Sequence, residues 1–373
     1  MRPWRRLTVG ALLVASLAVS GCTTVGYYAQ AVGGHLDLML RERDARAVIA
    51  APGTATDLRR RLELALELRA FAERELDLPA GGSYLGYVDV GRPWVTRTVV
   101  ATPELAVEPL TWCFPVVGCV AYRGYFDDAD ARAFADALAG RGLDVHVGSA
   151  SAYSTLGWLP DPLLSTMVEL PEHRLAGVLF HELAHRRLYA PDDSAFNEAY
   201  ATTVERAGVR RWLAAQRGEA AVARYEARLR LGDAFLALLE ETRERLRKVY
   251  ASERDDRDKR TAKRALLDGL PARAAALVGE GDGPNPFAAW FDEPVNNARL
   301  ALVSTYHGHL PALERLLARV GGDISAFHRE CAALAALDAG ERGRRLAALG
   351  PGGDQARSRH SGSAISPSAS SGG

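Results

Sequence analysis

The residues with the clearest chemical potential form one pentapeptide, His181-Glu182-Leu183-Ala184-His185. Its surroundings have a helical pattern, and residues four apart lie on the same face of a helix. Both imidazoles would therefore point in one direction, at a separation suited to a single zinc ion. Glu182 would lie close enough to handle a zinc-bound water without binding the metal. The spacing thus predicts a site for zinc-dependent hydrolysis.

The segment before the pentapeptide bears on the alternative of a surface helix with an accidental pair of histidines. Pro171 is placed as a first-turn residue of a helix. Leu175, Val178 and Leu179 then form an apolar stripe that leads into His181. Because buried histidines are tolerated best with a partner or a metal, this pattern favours a metal site over a solvated helix.

Two carboxylates in the next predicted helix are candidates for a third zinc ligand. Glu198 and Glu205 are seven residues apart and share one helix face, so only one of them can reach the metal. Glu198 lies in an Asn-Glu-Ala context that resembles the third-ligand segment of thermolysin-like gluzincins, whereas Glu205 better matches their usual spacing. The short turn over 186–194 favours Glu198. Glu205 is then expected behind the ligands or as a ligand for a substrate amine, unless it is simply a solvated carboxylate.

Other candidate residues lie later in the chain. Tyr306 is a hypothetical donor to the oxyanion of a tetrahedral intermediate, and an ordinary packed tyrosine is the alternative. His307 and His309 could approach the site, but lone histidines are more often structural.

Length and composition limit the class of protein. The chain has 373 residues, 48% of them hydrophobic, which is enough to bury a large core in one domain or two joined ones. Lys plus Arg and Asp plus Glu are equal at 46 each, so the net charge gives no sign of a nucleic-acid partner.

The N-terminus has the pattern of a lipoprotein signal. Arg2, Arg5 and Arg6 precede a short apolar core over 7–19, and Val19-Ser20-Gly21-Cys22 matches a bacterial lipobox. The apolar run is shorter than the ~20 residues that a membrane-spanning helix needs. We therefore predict a signal peptide over 1–21, lipidation of Cys22 and anchoring to a membrane of the cell envelope. Thr23, in place of aspartate, favours the outer membrane facing the periplasm in a Gram-negative host.

Three cysteines would remain beside the lipidated one. Export to an oxidising compartment favours a short-loop disulfide between Cys113 and Cys119, although both could be buried thiols. Cys331 lies in an apolar helical segment and is expected to be a buried structural thiol.

The predicted fold class is α+β and mostly helical: a zincin-like peptidase domain over 35–350. A linker over 22–34 would precede it, and a disordered Gly/Ser/Pro-rich tail over 351–373 would follow it. Alternation predicts a small mixed sheet before the helix of the pentapeptide, and apolar stripes with the 3.6-residue period of a helix predict the helices. The predicted strands are 84–90, 94–101, 117–122 and 143–147; the predicted helices are 35–51, 56–76, 129–139, 195–216, 219–252, 256–278, 295–319 and 324–346. The charged pair 219–252 and 256–278 is expected to form a hairpin, about 219–279, that projects from the core.

Several segments together resemble the bacterial family of putative aminopeptidases, which are predicted zinc lipoproteins. They are the lipobox followed by Tyr27-Tyr28-Ala29-Gln30, then 112–115, 118–126, 152–158, Asp161-Pro162, the pentapeptide, Phe196-Asn197-Glu198 and Asn296-Asn297-Ala298. The resemblance implies a gluzincin-type metallopeptidase that acts on peptides outside the cytoplasm.

The sequence thus predicts a zinc metallopeptidase, with an aminopeptidase as the expected type. The expected partners are one catalytic Zn²⁺, a peptide substrate and the membrane reached through the N-terminal lipid, with no nucleic acid. Two alternatives remain open: a membrane-tethered endopeptidase in protein quality control, and a non-catalytic zinc lipoprotein that binds a partner.

Overall fold

A computed structural model describes residues 26–114, 118–152, 159–191, 193–279, 285–304 and 309–349. Cys22, Tyr306, His307 and the predicted tail lie outside these residues, and so do the predictions made for them. Most of the described residues are helical, with short strands before the helix that carries the His181–His185 pentapeptide. The zincin-like assignment stays a prediction. No described helix is long and apolar enough to cross a bilayer.

The N-terminal part differs from the predicted linker and single helix. Residues 26–41 form helix α1, so most of the expected linker is helical. The short strand β1 (Arg43–Asp44) then separates α1 from α2 (Ala45–Ala50), because Asp44 caps α2 through a side-chain bond to the backbone N–H of Ala47. Helix α3 (Thr56–Glu75) follows as predicted and buries Leu62, Leu68 and Phe71 along one stripe.

The strands form three small sheets where the sequence predicted one. β1 pairs with β2 (Gly86–Val88), which pairs in parallel with β8 (Leu163–Leu164). β3 (Thr96–Pro103) lies between β6 (Arg123–Tyr125) and β7 (Leu143–Ala150), antiparallel to both. β4 (Trp112–Phe114) and β5 (Gly118–Val120) make a two-stranded ladder closed by a disulfide between Cys113 and Cys119, which confirms the predicted pairing.

Helices cover both faces of the β6-β3-β7 sheet, so β3 is buried on both sides. Val99 and Ala101 pack against α4 (Asp128–Ala139), while Val100, on the opposite face, packs against α11 (Asn297–Ser304). This two-sided burial explains why the strand has an apolar run instead of strict alternation.

The largest core surrounds α6 (Glu172–Arg187) and α7 (Ser194–Arg217). It also takes apolar residues of α3, the short α5 (Ser165–Val168) and the C-terminal helices α12 (Leu310–Arg319), α13 (Ile324–Ala335) and α14 (Ala339–Ala348). The buried thiol of Cys331 belongs to this core, as predicted.

The predicted helical hairpin does not simply project into solvent. α8 (Glu219–Tyr250) packs with α9 (Asp256–Asp268), α10 (Leu270–Ala276) and the 3-10 turn Ala288–Phe291 around a second core that includes Val107 and Leu300. Lys263 of α9 donates to Asp144 at 2.6 Å, so the hairpin is fastened to the β3–β7 sheet. Its second arm is broken at Gly269 because Pro271, near the start of α10, has no N–H to continue α9.

Candidate metal centre

Two antiparallel helices, α6 and α7, carry all the residues of the candidate centre that the structure describes. The turn between them is closed by Asn197, whose buried side chain accepts from the backbone N–H of Ala190 at 2.7 Å and donates to its carbonyl at 2.8 Å. Asp193 caps α7 by accepting from the backbone N–H of Phe196 and also pairs with Arg342 of α14. These contacts fix the register of α7 against α6, and with it the position of Glu198.

His181, His185 and Glu198 form a group whose ligand atoms all lie within 4.8 Å of one another, the one such group found among the described residues. The Nε2 atoms of the two histidines are 3.1 Å apart. The Glu198 carboxylate lies 3.3 Å from Nε2 of His181 and 3.7 Å from Nε2 of His185. Tertiary packing thus brings together the three residues predicted as zinc ligands.

The donor set fits zinc in chemistry and in spacing. Two imidazoles and one carboxylate are the protein ligands of many catalytic zinc sites, which keep a fourth position open. Tetrahedral ligands at about 2.0–2.1 Å from a zinc ion are about 3.3 Å from one another. The separations of 3.1 Å between the two Nε2 atoms and 3.3 Å from His181 to Oε2 of Glu198 lie close to that value, and the 3.7 Å separation from His185 ends on the other carboxylate oxygen, Oε1.

Glu205 lies on the side of His181 away from this group. Its Oε2 atom is 3.1 Å from Nδ1 of His181, the ring nitrogen that does not face Glu198. Gly177 leaves the space for it, because a Cβ there would come within 2.9 Å of Oε1 of Glu205. A carboxylate behind a metal-binding imidazole holds its tautomer and orientation. The geometry therefore favours an orienting role for Glu205 over the binding of a substrate amine.

The two histidines differ in their electrostatic surroundings. Burial lowers the pKa of His181, but its hydrogen bonds to Glu198 and Glu205 outweigh this effect and raise the pKa to about 10. Burial, followed by the charge of His181, lowers the pKa of His185 to about 4. Burial alone would raise the pKa of Glu198, yet its bond to His181 and the charges of both histidines bring it below its ordinary value. The metal-free cluster is thus one imidazolium, one neutral imidazole and one carboxylate.

Nδ1 of His185 has no such support. The atom is buried and has no hydrogen-bond partner among the residues that the structure describes. His185 is therefore not held in place by a polar contact behind its ring, as His181 is. A buried donor without a partner costs free energy. The orientation of His185 depends on packing and on what its Nε2 atom binds.

Glu182 interacts electrostatically with the cluster and with two tyrosines that the sequence did not single out. Its charge raises the pKa of His181 and, after burial, that of Tyr84. Tyr84 is buried with a backbone φ of +63°, which is rare for an aromatic residue and often marks a functional site. The positive φ could not be seen in the sequence.

Tyr122 lies beyond β5, three residues after Cys119, and is the second tyrosine. Its residue surface is 39% exposed, yet burial of the phenol raises its pKa, and the charges of Glu198 and Glu182 contribute to the shift. A phenol near both carboxylates stays protonated and can donate a hydrogen bond. The only sequence signal was its place in the 118–126 segment.

The other predicted residues are not part of this group. His309 precedes α12 as its N-cap residue and is not among the ligand atoms that cluster with His181. Tyr306 and Cys22 lie outside the described residues, so their predicted roles stay predictions.

Comparison with known proteins gives one match. A protein-family model described as "Putative aminopeptidase" matches residues 26–346. No curated protein and no solved structure matches the chain. The matched range contains α6 and α7, with His181, Glu182, His185, Glu198 and Glu205, and does not include Cys22.

Proposed function

Since the chain belongs to the Putative aminopeptidase family, we propose that it is a zinc-dependent metallopeptidase, and that it removes residues from the N-termini of peptides. The observation that supports the zinc chemistry is the convergence of His181, His185 and Glu198 within 4.8 Å. The aminopeptidase part is supported by the family alone. Glu205 was the sequence candidate for binding the substrate's ammonium group, and its place behind His181 does not support that role.

Three residues would hold the metal: His181 and His185 through Nε2, and Glu198 through its carboxylate. A zinc ion bound there would polarise the scissile carbonyl and lower the pKa of a bound water from 15.7 towards about 7. Glu205 would keep Nε2 of His181 aimed at the metal by accepting from Nδ1.

Glu182 would move the protons. Its carboxylate is one residue from His181 on α6 and close enough to raise the pKa of that imidazole. In the proposed reaction it accepts a proton from the attacking water and then passes it to the leaving amine.

A hydrogen-bond donor to the carbonyl oxygen would complete the site, because negative charge develops on that oxygen. The sequence pointed to Tyr306 for this role, which lies outside the described residues. Tyr122 is the candidate that the structure supports, since its phenol stays protonated beside Glu198 and Glu182.

The test combines metal analysis with hydrolysis. We expect one zinc per chain, and cleavage of fluorogenic amino-acid amides that is lost on chelation and restored by zinc. Glu182→Gln should keep the zinc and lower kcat by about 10²–10⁴-fold, the usual contribution of a general base. Glu172→Gln, on the same helix but paired with Arg217 at the surface, is the matched control and should be active.

Each other result refutes a stated part of the proposal. Cleavage of N-blocked peptides only would make the protein an endopeptidase and remove the aminopeptidase assignment. A zinc-loaded wild type without any hydrolysis would favour a non-catalytic lipoprotein that binds a partner. Unchanged hydrolysis in Glu182→Gln would remove this residue from the mechanism.

We also propose that the protein is anchored to the cell envelope by a lipid on Cys22. The support is the basic start, the short apolar run and the lipobox of the sequence. Mass spectrometry of the mature N-terminus should show acylated Cys22, and Cys22→Ser should leave the signal peptide uncleaved. A wild type with an unmodified N-terminus would refute the anchor.

A further inference from the structure

Helix α1 has an unusually apolar exposed face. Nine large hydrophobic residues are exposed in the described part of the chain, and five of them lie on this one helix. They are Tyr28, Val32, Leu36, Met39 and Leu40, with exposed fractions of 38%, 57%, 49%, 45% and 85%. Spacing by four residues places Tyr28, Val32, Leu36 and Leu40 along one side of a helix. We call these five residues the α1 face.

The opposite side of α1 is fixed to the protein, so the α1 face cannot turn inward. Gln30 donates to the carbonyl of Gly124 at 3.2 Å and accepts from the backbone N–H of Phe126 at 3.0 Å. Tyr27 stacks on Phe114 with ring centroids 5.4 Å apart and also contacts Tyr125 and Arg123. The partly exposed Tyr28 lies edge-on to the rings of both Tyr27 and Phe114, at the end of the α1 face nearest the protein.

A close approach at Gly34 supports the same docking. A Cβ at Gly34 would overlap the ring of Phe126, so only glycine lets the helix come this near. Leu38 is buried on the same side as Gln30 and Gly34. The α1 face is thus a rigid surface of the folded protein and not the frayed end of a chain.

The α1 face has almost no charge of its own. Besides Tyr28, the ionisable residues within its span are His35 and Asp37, and Asp37 forms an ion pair with Arg41 at 3.1 Å. An apolar strip about 18 Å long, from Tyr28 to Leu40 at 1.5 Å per residue, is therefore left facing outward. Exposed apolar patches of this kind mark sites of contact with a protein or a membrane.

The position of the helix in the chain favours the membrane. Tyr28 is six residues after Cys22, and six extended residues reach at most about 20 Å. A lipid on Cys22 would hold the start of α1 at the bilayer surface, where an apolar helix face can sink into the boundary between headgroups and acyl chains.

We infer that the α1 face lies in the surface of the lipid bilayer, parallel to it, and gives the enzyme a second contact with the membrane. This inference rests on the proposed lipid anchor at Cys22. This contact would also fix the orientation of the protein relative to the bilayer, because α1 binds the Gly124–Phe126 segment that follows Tyr122. The metal centre would then be held in one orientation relative to the lipid.

The experiment places an environment-sensitive nitrobenzoxadiazole label on the α1 face of the lipidated full chain. Leu36→Cys gives a selective attachment point, since Cys113 and Cys119 are disulfide-bonded and Cys331 is buried. Leu277→Cys, exposed at 36% beyond α10, is the matched control. Both proteins are reconstituted in phosphatidylcholine–phosphatidylethanolamine vesicles, with or without lipids that carry a nitroxide on the acyl chain.

We expect the label at position 36 to shift its emission to shorter wavelengths and to be quenched by the nitroxide lipids. The label at position 277 should show neither effect. Adding anionic phosphatidylglycerol should change little, because the α1 face has no net charge. With the label at Val32→Cys, the double change Leu36→Glu and Leu40→Glu should abolish quenching while the acylated protein still floats with the vesicles.

Three results would overturn the inference. One is an acylated protein that floats while the label at position 36 stays in water. Another is a blue shift without vesicles that grows with protein concentration, which would mean that a second copy covers the α1 face. The third is a chain without a lipid that neither floats nor shows quenching, which removes the anchor as well and is identified by mass spectrometry. The hydrolysis assay is independent of all three, so failure of the proposed enzymatic function is recognised separately.

Discussion

Glu205→Gln tests whether the carboxylate behind His181 supports metal binding. In the metal-free protein His181 is an imidazolium held between two carboxylates, 3.3 Å from Glu198 and 3.1 Å from Glu205. Its pKa of about 10, against about 4 for His185, means that only His181 is a positively charged imidazolium at neutral pH. Zinc must displace that proton from Nε2, because a metal ligand has to be the neutral imidazole.

The pH dependence of the zinc affinity follows from the number of protons released. One proton is released for each zinc bound between about pH 5 and 9, so the affinity should rise about tenfold per pH unit. Loss of a supporting carboxylate typically lowers metal affinity by 10–100-fold, which corresponds to about 1.4–2.8 kcal/mol. Glutamine can still accept from Nδ1 but has no charge. We therefore expect Glu205→Gln to lower the zinc affinity by an amount in this range and to lower the pKa of His181.

Isothermal titration calorimetry provides the measurement. Zinc is titrated from a competing chelator at pH 6.0, where a zinc-bound water stays neutral, in two buffers with different ionisation enthalpies. The difference in observed heat gives the number of protons released, and we expect a value near one. Glu219→Gln, at the exposed start of α8, is the control and should behave as the wild type.

Two outcomes would refute this reasoning. Zinc binding without proton release would mean that His181 is not the charged member of the cluster. An affinity for Glu205→Gln equal to that of the wild type would mean that the contact with Nδ1 does not support the metal. Amine binding by Glu205 would instead raise KM for unblocked substrates with the zinc affinity unchanged.

Three further predictions concern other parts of the centre. Asn197→Ala removes both bonds to Ala190 and leaves its buried backbone groups unpaired. We expect the free energy of unfolding, measured with denaturant, to fall by about 1–3 kcal/mol for each group, and zinc binding to weaken. Unchanged stability would contradict the proposed role of the turn. Tyr122→Phe should lower kcat by about 10²–10³-fold with little change in zinc content if its phenol stabilises the oxyanion, and a wild-type kcat would leave that role to Tyr306. The raised pKa of His181 stabilises the metal-free protein below pH 6.5, and this stability is lost as the pH rises through about 10; thermal unfolding of the apo and zinc forms across that range should show the loss in the apo form alone.

Local patterns predicted the elements well where one periodicity runs without interruption. The helices at α3, α4, α7 and α8 begin and end within a few residues of the predicted bounds because their apolar stripes are local signals, to which α4 and α7 add an aspartate cap. The longer predictions failed at internal breaks. The segment 256–278 divides at Gly269 and Pro271, and 35–51 divides at Asp44, which starts a new helix as its cap.

Pairing and packing were beyond local patterns. The sequence predicted strands but not that β2 pairs with β8, about 75 residues later, while β3 joins a different sheet. The charges of the hairpin indicated a solvated face, yet Lys263 and Arg260 of α9 bind Asp144 and Glu104 beside β3. Partners distant in sequence decide such contacts, so their residues show no signal of their own.

The candidate centre shows the same division. The sequence by itself identified His181, Glu182 and His185 as candidate site residues. A spacing of four residues on a helix makes the two histidine side chains point the same way, whatever surrounds them. The sequence favoured Glu198 over Glu205 from the short turn before the helix, but the two share a helix face and their positions relative to the histidines could not be read from the sequence. Only the tertiary structure shows these positions, since the turn closed by Asn197 sets the register that places Glu198 beside both Nε2 atoms and Glu205 behind His181.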